Sequence, residues 1–188
     1  MNYQVKKLTP DLANTFIDFM SGLDFGHEPH WNHCYCRYHH SSLPWEEWKG
    51  RSGKENQEEA REAIKAGRMK GYLVFDGDKC IGWCNANDAG EFARLREEAG
   101  KKIDPGQKVG CIICYTIHPD YRRQGISKLL LQKAVEGFRV EDYDAVLALP
   151  VNFDNPVMRY RGTASMYRGA GFEEIEKNGD LTVMWLDL

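Results

Sequence analysis

"IHPDYRRQGISKLLLQKAV", Ile117 to Val135, opens as the end of an apolar strand and closes as an apolar-striped helix. Between the two lie Pro119, which ends the strand, the pair Arg122 and Arg123, and one glycine, Gly125, where the helix must begin. From there Ile126, Leu129, Leu130, Ala134, Val135 and Phe138 recur at helical spacing, so the helix is expected to lay one face on a sheet. Its first N–H groups have no partner inside the helix and stand at the positive end of its dipole. Gly125 lets an anion approach the backbone with no Cβ in the way. Ser127 adds a hydroxyl, and two guanidinium groups can grip phosphate oxygens in bidentate fashion. Two readings fit the stretch: a phosphate or diphosphate cradle, and a solvated basic turn ahead of an ordinary helix. Two arginines and a glycine together favour the cradle. The chain has neither Gly-x-Gly-x-x-Gly nor Gly-Lys-Ser/Thr, so residue chemistry alone does not name the anion.

Outward from this junction the chain reads as one domain over 1–188. Its 188 residues suffice for a sizeable core, and a formal net charge of −3 gives no support to nucleic-acid or membrane-surface binding. The start MNYQVKKLTP is polar and no apolar run reaches membrane length, so the expected address is the cytoplasm. Residues 3–8 alternate as a short strand. Thr9-Pro10-Asp11 then starts a helix with Leu12, Phe16, Phe19 and Met20 on one face, and 22–50 loses all period. Asn56–Gly67 reads as a surface helix. GYLVFD, Gly77-Asp78 and KCIGWCNAN form a hairpin, and EFARLREEAG a short helix closed by Gly100. A long strand occupies 108–117. YDAVLALPV is an apolar run suited to a strand covered on both faces, and a loop with Pro156 leads to a short helix near 163–170. The chain ends in a hairpin turning at Asn178-Gly179. This order implies an α/β (α+β) domain with a mixed central sheet and helices on both faces.

Six cysteines lie at Cys34-x-Cys36, Cys80-x3-Cys84 and Cys111-x2-Cys114. The last four stand in apolar, strand-like runs, where they read as small core residues rather than metal ligands.

Ile117-His118-Pro119-Asp120-Tyr121-Arg122-Arg123-Gln124-Gly125-Ile126-Ser127 resembles the acyl-CoA-binding signature of the GNAT N-acetyltransferases. That signature is Gln/Arg-x-x-Gly-x-Gly/Ala after a strand ending Val/Ile-x-Pro. Arg122 and Gly125 match it, and Ser127 stands at the last small position. Downstream, Met166-Tyr167-Arg168-Gly169-Ala170-Gly171-Phe172 is similar to the family's Leu-Tyr-x-x-x-Gly-Phe, in the expected order after a strand. The resemblance implies splayed central parallel strands and acetyl-CoA as cosubstrate. Its pantetheine would run along Cys114, Tyr115 and Ile117, and its diphosphate would lie on the amides of Arg123, Gln124, Gly125, Ile126 and Ser127 beside Arg122. It further implies direct attack by an amine on the thioester, with Tyr167 protonating the departing thiolate. The chain departs from the family pattern in two places. Tyr160 stands where many members have asparagine, and the strand around Cys111 lacks the carboxylate some members use as a base.

HEPHWNHCYCRYHH, residues 27–40, holds five histidines and two cysteines. Three readings stand: a zinc site on Cys34, Cys36 and His39; an acceptor pocket walled by Trp31, Tyr35, Trp45 and Trp48 with a histidine base; and a tightly packed cap. The resemblance favours the pocket, with His33 and Glu28 as candidate bases and Trp31 and Tyr35 as candidate substrate contacts. No metal is expected. The expected function is acetyl transfer to a primary amine of a small molecule or peptide, with homodimer formation left open. The rivals are a non-catalytic acyl-CoA sensor and a metal-binding protein built on the Cys/His cluster.

Overall fold

The structure, a computed structural model, describes residues 3–26, 29–95, 99, 103–104, 106–152 and 160–188, with backbone alone at 29–30. Its strands are β1 (Gln4–Lys7), β2 (Gly71–Asp76), β3 (Lys79–Asp88), β4 (Val109–Ile117), β5 (Ala145–Ala148), β6 (Glu173–Asn178) and β7 (Leu181–Asp187). Its helices are α1 (Ala13–Ser21), α2 (Trp45–Gly50), α3 (Gly53–Lys65), α4 (Ile126–Val140) and α5 (Ala164–Arg168). The strands form one seven-stranded sheet in the order β1-β2-β3-β4-β5-β7-β6. Only β4 and β5 run parallel, joined through α4; every other neighbouring pair is antiparallel.

Away from the bulges, side chains alternate across the sheet. Val74, Cys84, Ile112, Val146 and Met184 face α4 and α5, where Leu130, Leu131, Ala134, Phe138, Tyr167 and Phe172 complete one core. Leu73, Phe75 and Trp83 face the other way, onto Phe16, Met20, Ala60 and Ile64 of α1 and α3. Cys111, Ile113, Leu147 and Val183 continue that second face under Phe92 and Leu95. Helices therefore cover both faces, as the strand pattern implies. β5 is fully buried because it lies inside the sheet with cover on each side.

One irregularity shapes the centre. Asn85 of β3 sits opposite Cys114 of β4, but Ala86 sits opposite Ile112, so Ile113 is an extra residue on β4. The bulge places Ile113 and Cys114 on the same face and bends β4. Its pairing with β5 covers only Val109–Ile112 against Ala145–Ala148. Beyond the bulge the two parallel strands share no ladder among the described residues, and a split opens between them.

Several boundaries differ from the sequence reading. The segment 22–50 is not wholly irregular: 3-10 turns form at Pro29–His33 and Tyr38–His40, and Trp45–Gly50 is a short helix. Six residues that follow a proline and end in a glycine are too few to show a period. α3 starts three residues before Asn56, because Ser52 and Glu55 form a reciprocal capping box. It also buries Asn56, Ala60, Ala63 and Ile64, so it is a packed helix and not a surface one. In the last hairpin Asn178 pairs with Leu181, which moves the two-residue turn to Gly179-Asp180, with Gly179 at φ 59°. The helix expected over EFARLREEAG falls partly outside the described residues, as does the loop with Pro156. Among those that are described, Ala89–Glu91 forms a 3-10 turn.

Candidate active site

The turn between β4 and α4 is built by its own backbone. Pro119–Tyr121 makes one 3-10 turn, and Arg123 (φ 63°) and Gly125 (φ 80°) both adopt left-handed conformations around Gln124. Gly125 caps α4 without a side-chain bond, and the helix's first internal bond runs from the Leu129 N–H to the Gly125 carbonyl. The N–H groups of Ile126, Ser127 and Lys128 are thus outside the ladder, at the positive end of a 15-residue helix. A Cβ built on Gly125 would meet nothing within 4 Å, so the surface over these amides is open. Arg122 and Arg123 are exposed beside it, whereas the Ile126 side chain is buried and offers only its backbone. The Gln124 amide is occupied: its nitrogen donates to the Asp120 carbonyl and its oxygen accepts from the Tyr3 hydroxyl at 2.7 Å.

Above the bulge, the edge of β4 that faces the split is bonded by other parts of the chain. The Tyr115 N–H donates to the Tyr160 carbonyl at 2.7 Å. By the two-residue period of a strand, the peptide groups of Ile117 face the same way, and the Ile117 carbonyl accepts from Arg122 Nε at 3.2 Å. Tyr115, Tyr167 and the segment Tyr160–Gly162 converge here. The Tyr167 hydroxyl donates to the Arg161 carbonyl at 2.9 Å and lies 3.4 Å from the Tyr115 hydroxyl. Gly162 (φ 79°) packs so closely that a Cβ would approach Met166 Cε at 2.6 Å and the Tyr167 ring at 3.1 Å. Tyr167 is fully buried, and burial pushes its phenol well above its ordinary range, so the hydroxyl keeps its proton.

The opposite face of the split belongs to the N-terminal segment. Trp31 stands edge-on to Tyr160 at 5.1 Å between ring centroids, and the His39 ring tilts against Tyr160 at 6.3 Å. Burial first, then the nearby Arg161, His40 and Arg94, hold His39 neutral, well below the ordinary imidazole range. His40 is pushed down to about 3, by burial and then by Arg37. Its Nδ1 faces the Glu91 carbonyl at 3.0 Å, an acceptor only, so Nδ1 carries the proton and Nε2 accepts from the Asn85 amide at 3.2 Å. Asn85 Oδ1, His39 Nδ1 and Arg37 Nε are buried with no hydrogen-bond partner among the described residues. Such groups mark places for water or a bound polar group.

The structure therefore brings together the turn residues 122–127, the strand residues Cys114, Tyr115 and Ile117, and Tyr167 and Trp31. It places two other candidates elsewhere. The Tyr35 hydroxyl bonds Ser21 Oγ at 3.0 Å and Gln57 Nε2 at 3.3 Å, tying α1 to α3. The His33 ring packs over Gly53 at the start of α3. Trp45 and Trp48 gather around Tyr38, and Glu28 lies outside the described residues. Residue pattern did not single out Asn85 or His40, and it raised His39 by number only as a zinc ligand. Only Asn85 carried a readable signal, as an amide inside an otherwise apolar strand. Among the described residues no three His, Cys, Asp or Glu side chains converge to hold a metal ion, and no helix is long and apolar enough to cross a membrane.

A family model described as "Acetyltransferase (GNAT) family" matches residues 37–172. No curated protein matches the chain in sequence. Among solved structures, a PaiA N-acetyltransferase from Thermoplasma acidophilum in complex with coenzyme A superposes with a TM-score of 0.59 at 15% identity, covering 100% of both chains. A polyamine N-acetyltransferase from Drosophila melanogaster gives 0.59 at 11% identity, again over 100% of both. Ribosomal-protein-S5-alanine acetyltransferase from Vibrio fischeri gives 0.56 at 14%, over 100% of this chain and 93% of that one. At these identities the likeness is one of fold.

Proposed function

Because the chain belongs to the GNAT family of acetyltransferases, we propose that it transfers acetyl from acetyl-CoA to a primary amine of a small molecule or peptide by direct attack. The observation that carries the reading is the junction of β4 and α4. Three amides outside the helix ladder, an open left-handed Gly125 and two exposed arginines stand at one end of the split between β4 and β5. An acyl-CoA has a diphosphate for the first and an extended amide chain for the second. The amides of residues 123–127 would take phosphate oxygens, with Arg122 and Arg123 balancing their charge. Tyr115 and Ile117 would offer their peptide groups to the amide chain, with Cys114 beside them. In this reading Tyr160 and Arg122 yield the bonds they now make to that edge.

Bound acetyl-CoA supplies an activated acyl thioester; the chain supplies position and proton control. The burial that holds the proton on Tyr167 suits a group that donates it as negative charge develops on a leaving sulfur. To act so, its hydroxyl must exchange the Arg161 carbonyl for that sulfur. Trp31, Tyr160 and His39 form the acceptor-side wall across the sheet. His39 is neutral there, and its unpartnered Nδ1 is able to take a hydrogen bond from an amine or a water.

Release of free CoA from acetyl-CoA, followed by a thiol reagent over a panel of amines that includes polyamines and short peptides, tests this reading. It requires amine-dependent release. If acetyl-CoA binds but no amine promotes release, the chain is an acyl-CoA-binding module and the transfer is wrong.

A further inference from the structure

Cys36 is aimed with unusual care for a core residue. Tyr35 (φ 42°) and Cys36 (φ 53°) are consecutive non-glycine residues in the left-handed region, a strained turn that persists only where its surroundings enforce it. Here the Tyr35 hydroxyl bonds Ser21 and Gln57, while the Trp83 indole N–H donates to Cys36 Sγ at 3.2 Å. The outcome is that Cys36 Sγ lies 3.7 Å from Cys114 Sγ, which comes from the cofactor-side strand immediately after the bulge. Two thiols from segments 78 positions apart are thus in direct contact.

We propose that Cys36 and Cys114 are a redox modification site: a small-molecule disulfide such as oxidised glutathione converts them into a reversible disulfide that fastens the N-terminal segment to β4. The half-buried Cys114 is the sulfur that meets the oxidant. Its thiolate attacks one sulfur of the oxidant, forming a mixed disulfide and expelling one thiolate. Cys36 then loses its proton to water and its sulfur attacks Cys114 Sγ, displacing the second thiolate. Two protein thiols are oxidised, one disulfide is reduced to two thiols, and no further reactant is needed. Its hydrogen bond to Cys114, and then burial, keep the Cys36 thiol protonated, so the second step is the slow one. A disulfide needs its sulfurs at about 2 Å, so closure draws the two segments together by less than 2 Å. The bridge would stand one residue from Tyr115, whose N–H faces the split, and would hold the acceptor-side wall against it.

The purified protein, reduced and then treated with oxidised glutathione, is digested without reduction and mapped by mass spectrometry. The proposal expects loss of two hydrogen atoms from the intact mass, a cross-linked peptide pair containing Cys36 and Cys114, and a raised melting temperature that dithiothreitol reverses. Cys36→Ser should stop at a glutathione adduct on Cys114. A bridge from Cys34 to either residue, an adduct on the native chain that never resolves, or an unchanged mass would each overturn it. None of these readouts depends on acetyl transfer, so the result stands apart from the fate of the proposed activity.

Discussion

Replacing Gly125 by alanine separates two effects at a single residue. The site has room for the methyl group, so the fold bears only the left-handed strain of a non-glycine residue, about 1 kcal/mol. Any anion held on the amides of Ile126 and Ser127 meets that methyl directly. Gly125→Ala should therefore weaken acetyl-CoA binding on the order of tenfold, about 1.4 kcal/mol, as read by calorimetry, with only a small fall in urea midpoint. Tyr167→Phe acts on the other half of the chemistry. Removing the hydroxyl leaves the phosphate cradle intact, so acetyl-CoA affinity should hold while kcat falls on the order of 10²-fold. Unchanged turnover in that variant would return Tyr167 to a packing role under Phe172, which its ring meets at 5.2 Å.

At the scale of elements, the site depends on how closely α4 lies on β4. Gly110 of β4 allows this: a Cβ there would sit 2.5–2.7 Å from the Phe138 ring of α4. Gly110→Ala should destabilise the fold by about 1–3 kcal/mol through overpacking, seen as a lower urea midpoint. Part of that strain should appear as weaker acetyl-CoA binding, since the helix that moves is the one presenting the cradle. α3 is held differently. Ser52 accepts from the Glu55 N–H while Glu55 returns a bond to the Ser52 N–H, and those bonds hold the Glu55 carboxyl below its usual range. Ser52→Ala should lower stability by about 1 kcal/mol and leave acetyl-CoA affinity unchanged, because α3 packs on α1, away from the turn.

For the whole molecule, the histidine-rich segment links stability to pH. His39 and His40 are held neutral in the fold, with His40 at about 3 against an ordinary 6.5. Below about pH 6.5 the unfolded chain takes up protons that the folded chain refuses, so their contribution is full above 6.5 and is lost as pH falls toward 3. Urea midpoints measured at pH 8, 6 and 5 should decline across that window, and His40→Gln should flatten the decline. Equal slopes would place these rings in contact with water. The same segment marks the limit of what the residues disclose. The β4–α4 junction was legible because its chemistry is local: proline, arginines and glycine act within a few positions, and helix periodicity needs no partner. The two motifs on either side of β5 then fixed order and sheet. The bulge at Ile113, the Tyr160 carbonyl on Tyr115 and the contact of Cys36 with Cys114 join positions far apart in the chain. No local pattern encodes them. Trp31 fell at the split and Tyr35 away from it, although both are aromatic and only four positions apart, because the left-handed turn at Tyr35 and Cys36 redirects the chain.

The central claim is that the turn after β4 holds the phosphates of acetyl-CoA. Amide hydrogen exchange, resolved by residue with and without saturating acetyl-CoA, tests it most directly. The account predicts that the slowing concentrates at residues 123–127, with a further change at Tyr115 and Ile117 as the chain's own bonds to that edge are replaced. Slowing confined to other parts of the sheet, or none at 123–127, would contradict it.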